Sequence, residues 1–125
     1  MSGRGRKTNA ADPRQVWTLE RLEERRRTRW VENLRASLAT PFGRALMWQI
    51  IRRAGVYESP FDPHGSVQSF KIGRGDMGRE LLAECLRHCP ELYLLMEKEA
   101  RELEALELAQ IEASRNRGAD TEAEE

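Results

Sequence analysis

The clearest helix signals in this chain lie in the stretch Thr40–Gly55, which reads T-P-F-G-R-A-L-M-W-Q-I-I-R-R-A-G. A threonine hydroxyl can accept a hydrogen bond from a free N–H of the first helical turn, and a proline at the first helical position loses no hydrogen bond. Thr40 and Pro41 therefore predict a helix start. Gly55 suits the residue after a helix, which takes a positive φ, and two arginines precede it near the negative end of the helix dipole.

Apolar side chains fill most positions between these two ends. They are Phe42, Ala45, Leu46, Met47, Trp48, Ile50 and Ile51. This set is wider than the single apolar stripe of a surface helix. We therefore expect the short helix to be contacted on two sides and to form the centre of the core.

A first helix is predicted upstream, from the Asp12-Pro13 start signal to Ala39. Trp30, Leu34 and Leu38 follow one another at intervals of four residues, which indicates a buried stripe in its second half. The first half contains E-R-L-E-E-R-R-R-T-R, residues 20–29, with a single apolar side chain. We expect this half to project into solvent.

The segment Val56–Gly65 contains two prolines, which exclude a helix there. Its aromatic residues, Tyr57 and Phe61, are expected to fold back over the core in an ordered loop. Ser66 is suited to cap the next helix, which should run from about Val67 to His88.

Three glycines, Gly73, Gly75 and Gly78, lie inside this third helix and cost roughly 1 kcal/mol each relative to alanine. Either the helix breaks near them, or they let another helix approach closely. Apolar residues keep the helical phase from Phe70 to Met77, so we favour a continuous helix.

The last helix is predicted to begin at Pro90, with Glu91 near its positive end. Its second half is rich in leucine and can pack on the first helix or on a second subunit. The candidate self-association residues there are Leu103, Leu106, Leu108 and Ile111. From Ser114 the apolar pattern stops, which predicts a disordered acidic tail.

Together these signals predict an all-α fold, a compact bundle of about four helices with an ordered aromatic loop between helices 2 and 3 and disordered termini. Residues 1–11 form a disordered basic arm, residues 12–113 the helical domain with its core at about 30–100, and residues 114–125 the acidic tail. The predicted core residues are Trp30, Leu34, Leu38, Phe42, Leu46, Ile50, Phe70, Met77, Leu81, Leu82, Leu92 and Met96.

The chain has a formal net charge of zero that hides a gradient, because residues 1–55 carry a net +8, residues 56–89 a net −1 and residues 90–125 a net −7. Such a dipolar chain suggests head-to-tail self-association, or a basic end that faces an acidic partner such as DNA. The alternative is that charge merely solvates ordinary helix surfaces. The candidate partner- or phosphate-contacting residues are Arg4, Arg6, Lys7, Arg25, Arg26, Arg27 and Arg29.

No catalytic, cofactor-binding or metal site is predicted. The cluster Cys85–Cys89, C-L-R-H-C, is the only local group of metal-ligand types, and its spacing does not suit a zinc knuckle. Cys85 continues an apolar face and is better interpreted as core. No known nucleophile, zinc-protease or phosphate-loop motif occurs. No apolar run approaches the length of a membrane span, and no secretory signal follows the basic start.

The strings T-P-F-G-R-A-L-M-W-Q-I-I-R-R-A-G-V-Y, S-F-K-I-G-R-G-D-M-G-R-E-L-L and C-P-E-L-Y-L-L-M occur in this order. They resemble a small family of tailed-phage proteins, typified by a Bordetella phage protein and known as the "Bbp-nineteen-like" phage domain. The similarity covers about Leu34 to Ala100. The resemblance implies a virion or morphogenesis role, encoded among head, portal and packaging genes, with no catalytic residues to carry over. It also implies that Gly73 lies in a helix.

We therefore expect a non-enzymatic virion protein that is assembled in the host cytoplasm. It would act as a structural subunit or adaptor near the portal, tail or ejection machinery and would bind other virion proteins or copies of itself. The alternative hypothesis is a nucleic-acid-binding accessory of DNA packaging or ejection that uses its basic N-terminal region.

Overall fold

The structure is a computed structural model that describes residues 12–124. Within that range the chain forms four α-helices and no strand: α1 (Pro13–Leu38), α2 (Pro41–Arg53), α3 (Gly65–His88) and α4 (Pro90–Glu124). The predicted all-α class and the number of helices are confirmed. The predicted basic arm, residues 1–11, lies outside the described residues.

The predicted starts of α1 and α2 and the predicted end of α2 form as expected. The Asp12 carboxylate accepts a hydrogen bond from the Arg14 N–H at 3.0 Å, in the first turn of α1. The Thr40 hydroxyl accepts one from the Gly43 N–H at 3.0 Å, with Pro41 as the first residue of α2. Beyond α2, Gly55 has a φ of 74°, which a residue with a side chain rarely adopts.

The chain divides into two units, Met1–Leu34 and Arg35–Glu125. In the first unit α1 is exposed along most of its length, as predicted for its first half, while Leu34 is buried. In the second unit α2 packs against both α3 and α4, and α3 packs against α4. The expectation that α2 is contacted on two sides is therefore confirmed.

A close approach at Gly78 joins α3 to the end of α2. A Cβ atom added at Gly78 would lie 2.5 Å from the Ala54 Cβ and 2.6 Å from a Val56 methyl carbon. At Gly73 an added Cβ would meet nothing within 4 Å. The helix α3 is continuous, as predicted, and Gly78 is the glycine that makes room for a neighbour.

The buried core of the second unit is small. Its most deeply buried side chains are Leu38, Ile51, Cys85 and Met96. Burial raises the pKa of the Cys85 thiol to about 11 and also raises the pKa of the Cys89 thiol. Both thiols therefore stay protonated at neutral pH. The interpretation of Cys85 as a core residue is confirmed.

Half of the predicted core is wrong. Leu34, Leu38 and Met96 are buried, and Leu81, Leu82 and Leu92 are half-buried. The residues that are exposed instead are Trp30, Phe42, Leu46, Ile50, Phe70 and Met77. On α2 the reason is geometric, since Phe42 and Leu46 lie on the side of the helix opposite to the buried Ile51, and Ile50 lies about 100° around the helix from it.

Two predicted boundaries also need correction. The fourth helix continues through Glu124, so the tail predicted as disordered from residue 114 is helical there. Alanine, glutamate and arginine favour helix, and no proline follows Pro90, so propensity carries the helix beyond its apolar pattern. The third helix begins at Gly65 rather than after Ser66, and its N-cap residue, His64, makes no side-chain capping bond.

Polar bonds tie the loop between α2 and α3 to α3. The Asp62 carboxylate accepts hydrogen bonds from the His64 N–H at 2.9 Å and from Lys71 Nζ at 3.3 Å. These bonds, chiefly the His64 N–H, hold the pKa of Asp62 below its usual value. The Tyr57 ring lies 6.4 Å from the Trp48 ring, between centroids, but both Tyr57 and Phe61 are exposed. Phe61 therefore does not cover the core in the way that the sequence suggested.

Candidate interaction surfaces

A buried arginine fixes how α2 faces its neighbours. Arg44 Nε lies 2.5 Å from Glu99 Oε1, Arg44 Nη2 lies 3.1 Å from Glu99 Oε2, and Arg44 Nη1 donates to the Leu38 carbonyl oxygen at 2.9 Å. This two-pronged hydrogen bond raises the pKa of Arg44 and lowers that of Glu99. The pair thus joins α2 to α4 and sets the rotation of α2.

The opposite side of α2 is consequently turned outward. Phe42, Leu46 and Ile50 recur every four residues and form one stripe on that side. Phe42 is 87% exposed, and Leu46 and Ile50 are also exposed. Single exposed apolar residues are common on proteins, but contiguous apolar patches mark binding surfaces.

Ile50, at one end of this stripe, also lines an open groove between α2 and α3, which we call the apolar groove. It has a volume of about 610 Å³ and is lined by Ile50, Ala54, Phe70, Gly73, Met77 and Leu81. Two arginines, Arg53 and Arg74, also line it. The Arg74 guanidinium carbon lies 5.6 Å from the centre of the Phe70 ring, and Arg74 Nε has no hydrogen-bond partner among the described residues. Arg74 Nη2 also lies 3.9 Å from a carboxylate oxygen of Glu58, so the groove is apolar in its lining and its positive charge is partly neutralised within the chain.

A second groove lies between α2 and α4 and has a volume of about 470 Å³. Trp48, Met96 and Leu103 contribute apolar surface to it. Charges of both signs line it, because Arg52 and Arg53 on α2 face the same space as Glu104 and Glu107 on α4. Charges of both signs therefore meet in this groove within one chain, and Arg53 lines both grooves.

The far part of α4, residues 101–123, is exposed at every position, and we call it distal α4. It carries the four predicted self-association residues, and each of them is exposed: Leu103, Leu106, Leu108 and Ile111. Distal α4 has three basic and six acidic residues, a net charge of −3. It is thus an acidic helix with leucines that the described chain leaves uncovered.

The predicted basic residues that lie within the structure, Arg25, Arg26, Arg27 and Arg29, are all exposed on α1. Arg26 forms an ion pair with Glu23 at 3.4 Å, and the other three form none with the described residues. Successive helical residues are separated by about 100° around the axis. Arg25 and Arg29 therefore share a side, while Arg26 and Arg27 point elsewhere. The remaining predicted contacts, Arg4, Arg6 and Lys7, lie outside the described residues.

Between residues 12 and 124, no three histidine, cysteine, aspartate or glutamate side chains come close enough together to hold a metal ion. None of the helices described combines the length and the apolar character that crossing a bilayer requires. Within the same range, the features that stand out are the exposed apolar and charged surfaces.

Comparisons of the chain with protein-family models, with curated proteins and with solved structures find no significant match.

The apolar groove is the surface that the sequence analysis missed. The apolar stripe of Phe42, Leu46 and Ile50 was visible, but it was assigned to the core because apolar residues also occur on the other side of α2. A signal for the correct orientation was present at Arg44. An arginine in so apolar a helix needs either solvent or a carboxylate partner, and here it has the partner.

Proposed function

We propose that this chain is a non-enzymatic structural subunit or adaptor of a tailed-phage virion, which acts through protein–protein association near the portal, tail or ejection machinery. The observation that carries the proposal is the outward-facing apolar surface of α2 and α3. Phe42, Leu46, Ile50, Phe70 and Met77 are all exposed there. Keeping so many large apolar side chains in water is unfavourable unless a partner covers them.

The resemblance to the phage domain family supports the biological setting. Its region, about Leu34 to Ala100, includes α2, α3 and the start of α4, and so it includes both sides of the apolar groove. We propose accordingly that the protein is made in the host cytoplasm and becomes part of the particle there.

The direct test is mass spectrometry of gradient-purified phage particles that were produced with the tagged wild-type chain. The expected result is that the chain is present at a fixed copy number per particle. A particle without the chain would contradict the proposal and would favour a role outside the virion.

A matched pair of variants tests the surface that carries the proposal. Met77→Glu places a charge in the apolar groove, whereas Leu86→Glu changes an exposed residue on the other side of the same helix. We expect particles to lose the Met77→Glu chain and to retain the Leu86→Glu chain. Equal incorporation of both would show that this surface does not attach the protein.

The alternative proposal is a nucleic-acid-binding accessory of DNA packaging or ejection. Its support is the exposed arginines of α1, of which Arg25, Arg27 and Arg29 lack ion-pair partners within the described range. Phosphate binding requires that DNA affinity fall steeply with salt. Changing Arg25, Arg26, Arg27 and Arg29 to glutamine should then reduce both the affinity and its salt dependence, in a filter-binding or anisotropy titration. An affinity unaffected by these changes would remove this alternative.

A further inference from the structure

Two uncovered surfaces of the second unit complement each other. One is a groove and the other is a helix, and they carry opposite charges. The apolar groove is shallow and apolar, and its charged lining residues are Arg53 and Arg74, of which Arg74 also lies 3.9 Å from a carboxylate oxygen of Glu58 in the same chain. The helix α2 beside it carries three arginines and no acidic residue. Distal α4 is a convex helix with leucines and a net charge of −3. A groove of this kind suits an amphipathic helix with acidic flanks.

Distal α4 is long enough to occupy such a groove in another molecule. Residues 101–123 are all exposed and span about 35 Å as a helix. Glu104 and Glu107 already face Arg53 of their own chain, so the acidic groups that distal α4 presents to another copy are Glu112, Asp120 and Glu122.

Other pairings of the same surfaces are less favourable. Two copies of distal α4 packed on each other would bring two segments of net charge −3 together. Two apolar grooves that faced each other would oppose Arg53 and Arg74 to their own copies. Like charges placed opposite each other are repulsive, whereas the pairing of helix and groove is attractive. The groove between α2 and α4 already contains its own acidic residues.

We propose that distal α4 of one copy binds in the apolar groove of a second copy, with Leu106 and its neighbours against Phe70 and Met77. This inference rests on the proposed association function and names its partner, a second copy of this chain. The contact is heterologous, since each copy uses one surface to bind and a different one to be bound. Repetition of such a contact gives a ring if the rotation closes, and a filament if it does not.

The first test measures the mass of the purified full-length protein by light scattering over a range of concentrations. The wild-type chain is expected to form species larger than a dimer. Met77→Glu in the groove, and the double change Leu103→Lys and Leu106→Lys on one side of distal α4, should each raise the dissociation constant at least about tenfold, the effect expected near the centre of an interface.

Matched controls keep this result specific. Leu86→Glu on α3 and Leu94→Lys on α4 change exposed leucines that lie outside both proposed surfaces. They should associate like the wild type. Circular dichroism must show that all four variants keep their helix content. Raising the salt concentration from about 0.05 M to about 0.5 M should also weaken wild-type association, because it screens the attraction between the two surfaces.

The second test mixes the groove variant with the distal α4 variant, each of which has lost one of the two proposed binding surfaces. The groove variant keeps an intact distal α4, and the α4 variant keeps an intact groove. At a concentration at which the wild type associates and each variant alone is monomeric, a head-to-tail contact predicts that the mixture of the two variants forms a one-to-one heterodimer and nothing larger. If the groove variant still associates by itself, copies pair through α4 alone and the inference is wrong.

The inference fails separately from the proposed function. Self-association would be overturned if the wild-type chain remained monomeric at every concentration and was nevertheless present in particles, while the Met77→Glu chain was absent from them. It would leave the adaptor function standing, with a different virion protein in the groove. If the chain assembled head to tail in solution but was absent from particles, self-association would stand and the proposed virion function would be contradicted.

Discussion

The two sides of α2 contain the same kinds of residue, but one side is buried and the other is exposed. Ile51 is 0% exposed, whereas Ile50, its immediate neighbour, is 41% exposed. The inner side is held by the Arg44–Glu99 pair and by packing on α3 and α4. The outer side carries Phe42, Leu46 and Ile50 without a partner among the described residues. The comparison teaches that an apolar stripe indicates what a helix will bury but not whether the chain itself buries it.

The largest expected difference between the two sides is in stability. Ile51→Ala removes a fully buried side chain from between the helices and should lower the free energy of unfolding by about 3–4 kcal/mol. Ile50→Ala should cost less than about 1 kcal/mol, since that side chain is already in water. Urea denaturation of dilute protein measures both. Similar costs at the two positions would mean that the outer side is also part of the core.

Two glycines on α3 extend the comparison between packed and exposed surfaces, because Gly78 is packed against α2 and Gly73 faces the open groove. Gly78→Ala forces a methyl group against Ala54 and Val56 and should destabilise the protein by about 1–3 kcal/mol. Gly73→Ala lines the open groove and should stabilise the helix by about 0.5–1 kcal/mol, because alanine favours helix over glycine.

Thermal unfolding of the two glycine variants beside the wild type gives the signs directly. Opposite signs are expected. A stabilising Gly78→Ala would contradict the close approach of α2 to α3 at this position.

The ion pair that orients α2 should make the free energy of unfolding depend on pH in the acid range. The Arg44 guanidinium lowers the pKa of Glu99 from its ordinary 4.5, so the folded state favours the ionised carboxylate. Glu99 therefore contributes its full stabilisation above pH 4.5, and the contribution is lost as the pH falls further, through the pKa of the folded state.

The measurement is the urea midpoint between pH 7 and pH 3, compared with two variants. Glu99→Gln should lower the midpoint at pH 7 and reduce its fall with acid. Glu112→Gln, an exposed control on the same helix, should follow the wild type. A wild-type acid dependence that Glu99→Gln leaves unchanged would mean that another carboxylate causes it.

The smallest effect is expected at the end of α4. Residues 114–123 are all exposed, so deleting residues 114–125 should change the free energy of unfolding by less than about 0.5 kcal/mol. The loss of helical circular dichroism should match the deleted residues. A larger loss of stability would mean that this segment packs on the rest of the protein.

Local signals in the sequence predicted much of the fold, because they depend on neighbouring residues. The start of α2 at Thr40 and Pro41, the turn at Gly55 and the continuity of α3 were all correct. The orientation of α2 was not predictable in the same way. It depends on the contact of Arg44 with Glu99, which are separated by 55 residues, and helical periodicity contains no information on such a contact.

The candidate surfaces were predicted in part. The leucines of distal α4 were expected to pack on the first helix or on a second subunit, and they are exposed. The apolar groove was missed, since its residues have the composition and the spacing of a core. The arginines of α1 are exposed as expected, but periodicity distributes them around the helix rather than on one face.

The most direct test of the account compares two methionines. Met77 in the apolar groove is 58% exposed, and Met96 in the core is 1% exposed. Limited peroxide treatment of dilute isolated protein, read by peptide mass spectrometry, should oxidise Met77 at least about tenfold faster than Met96, because oxidation follows exposure. In purified particles or concentrated assemblies, Met77 should become as protected as Met96. Continued rapid oxidation of Met77 in both would contradict the claim that this surface is where the protein is bound.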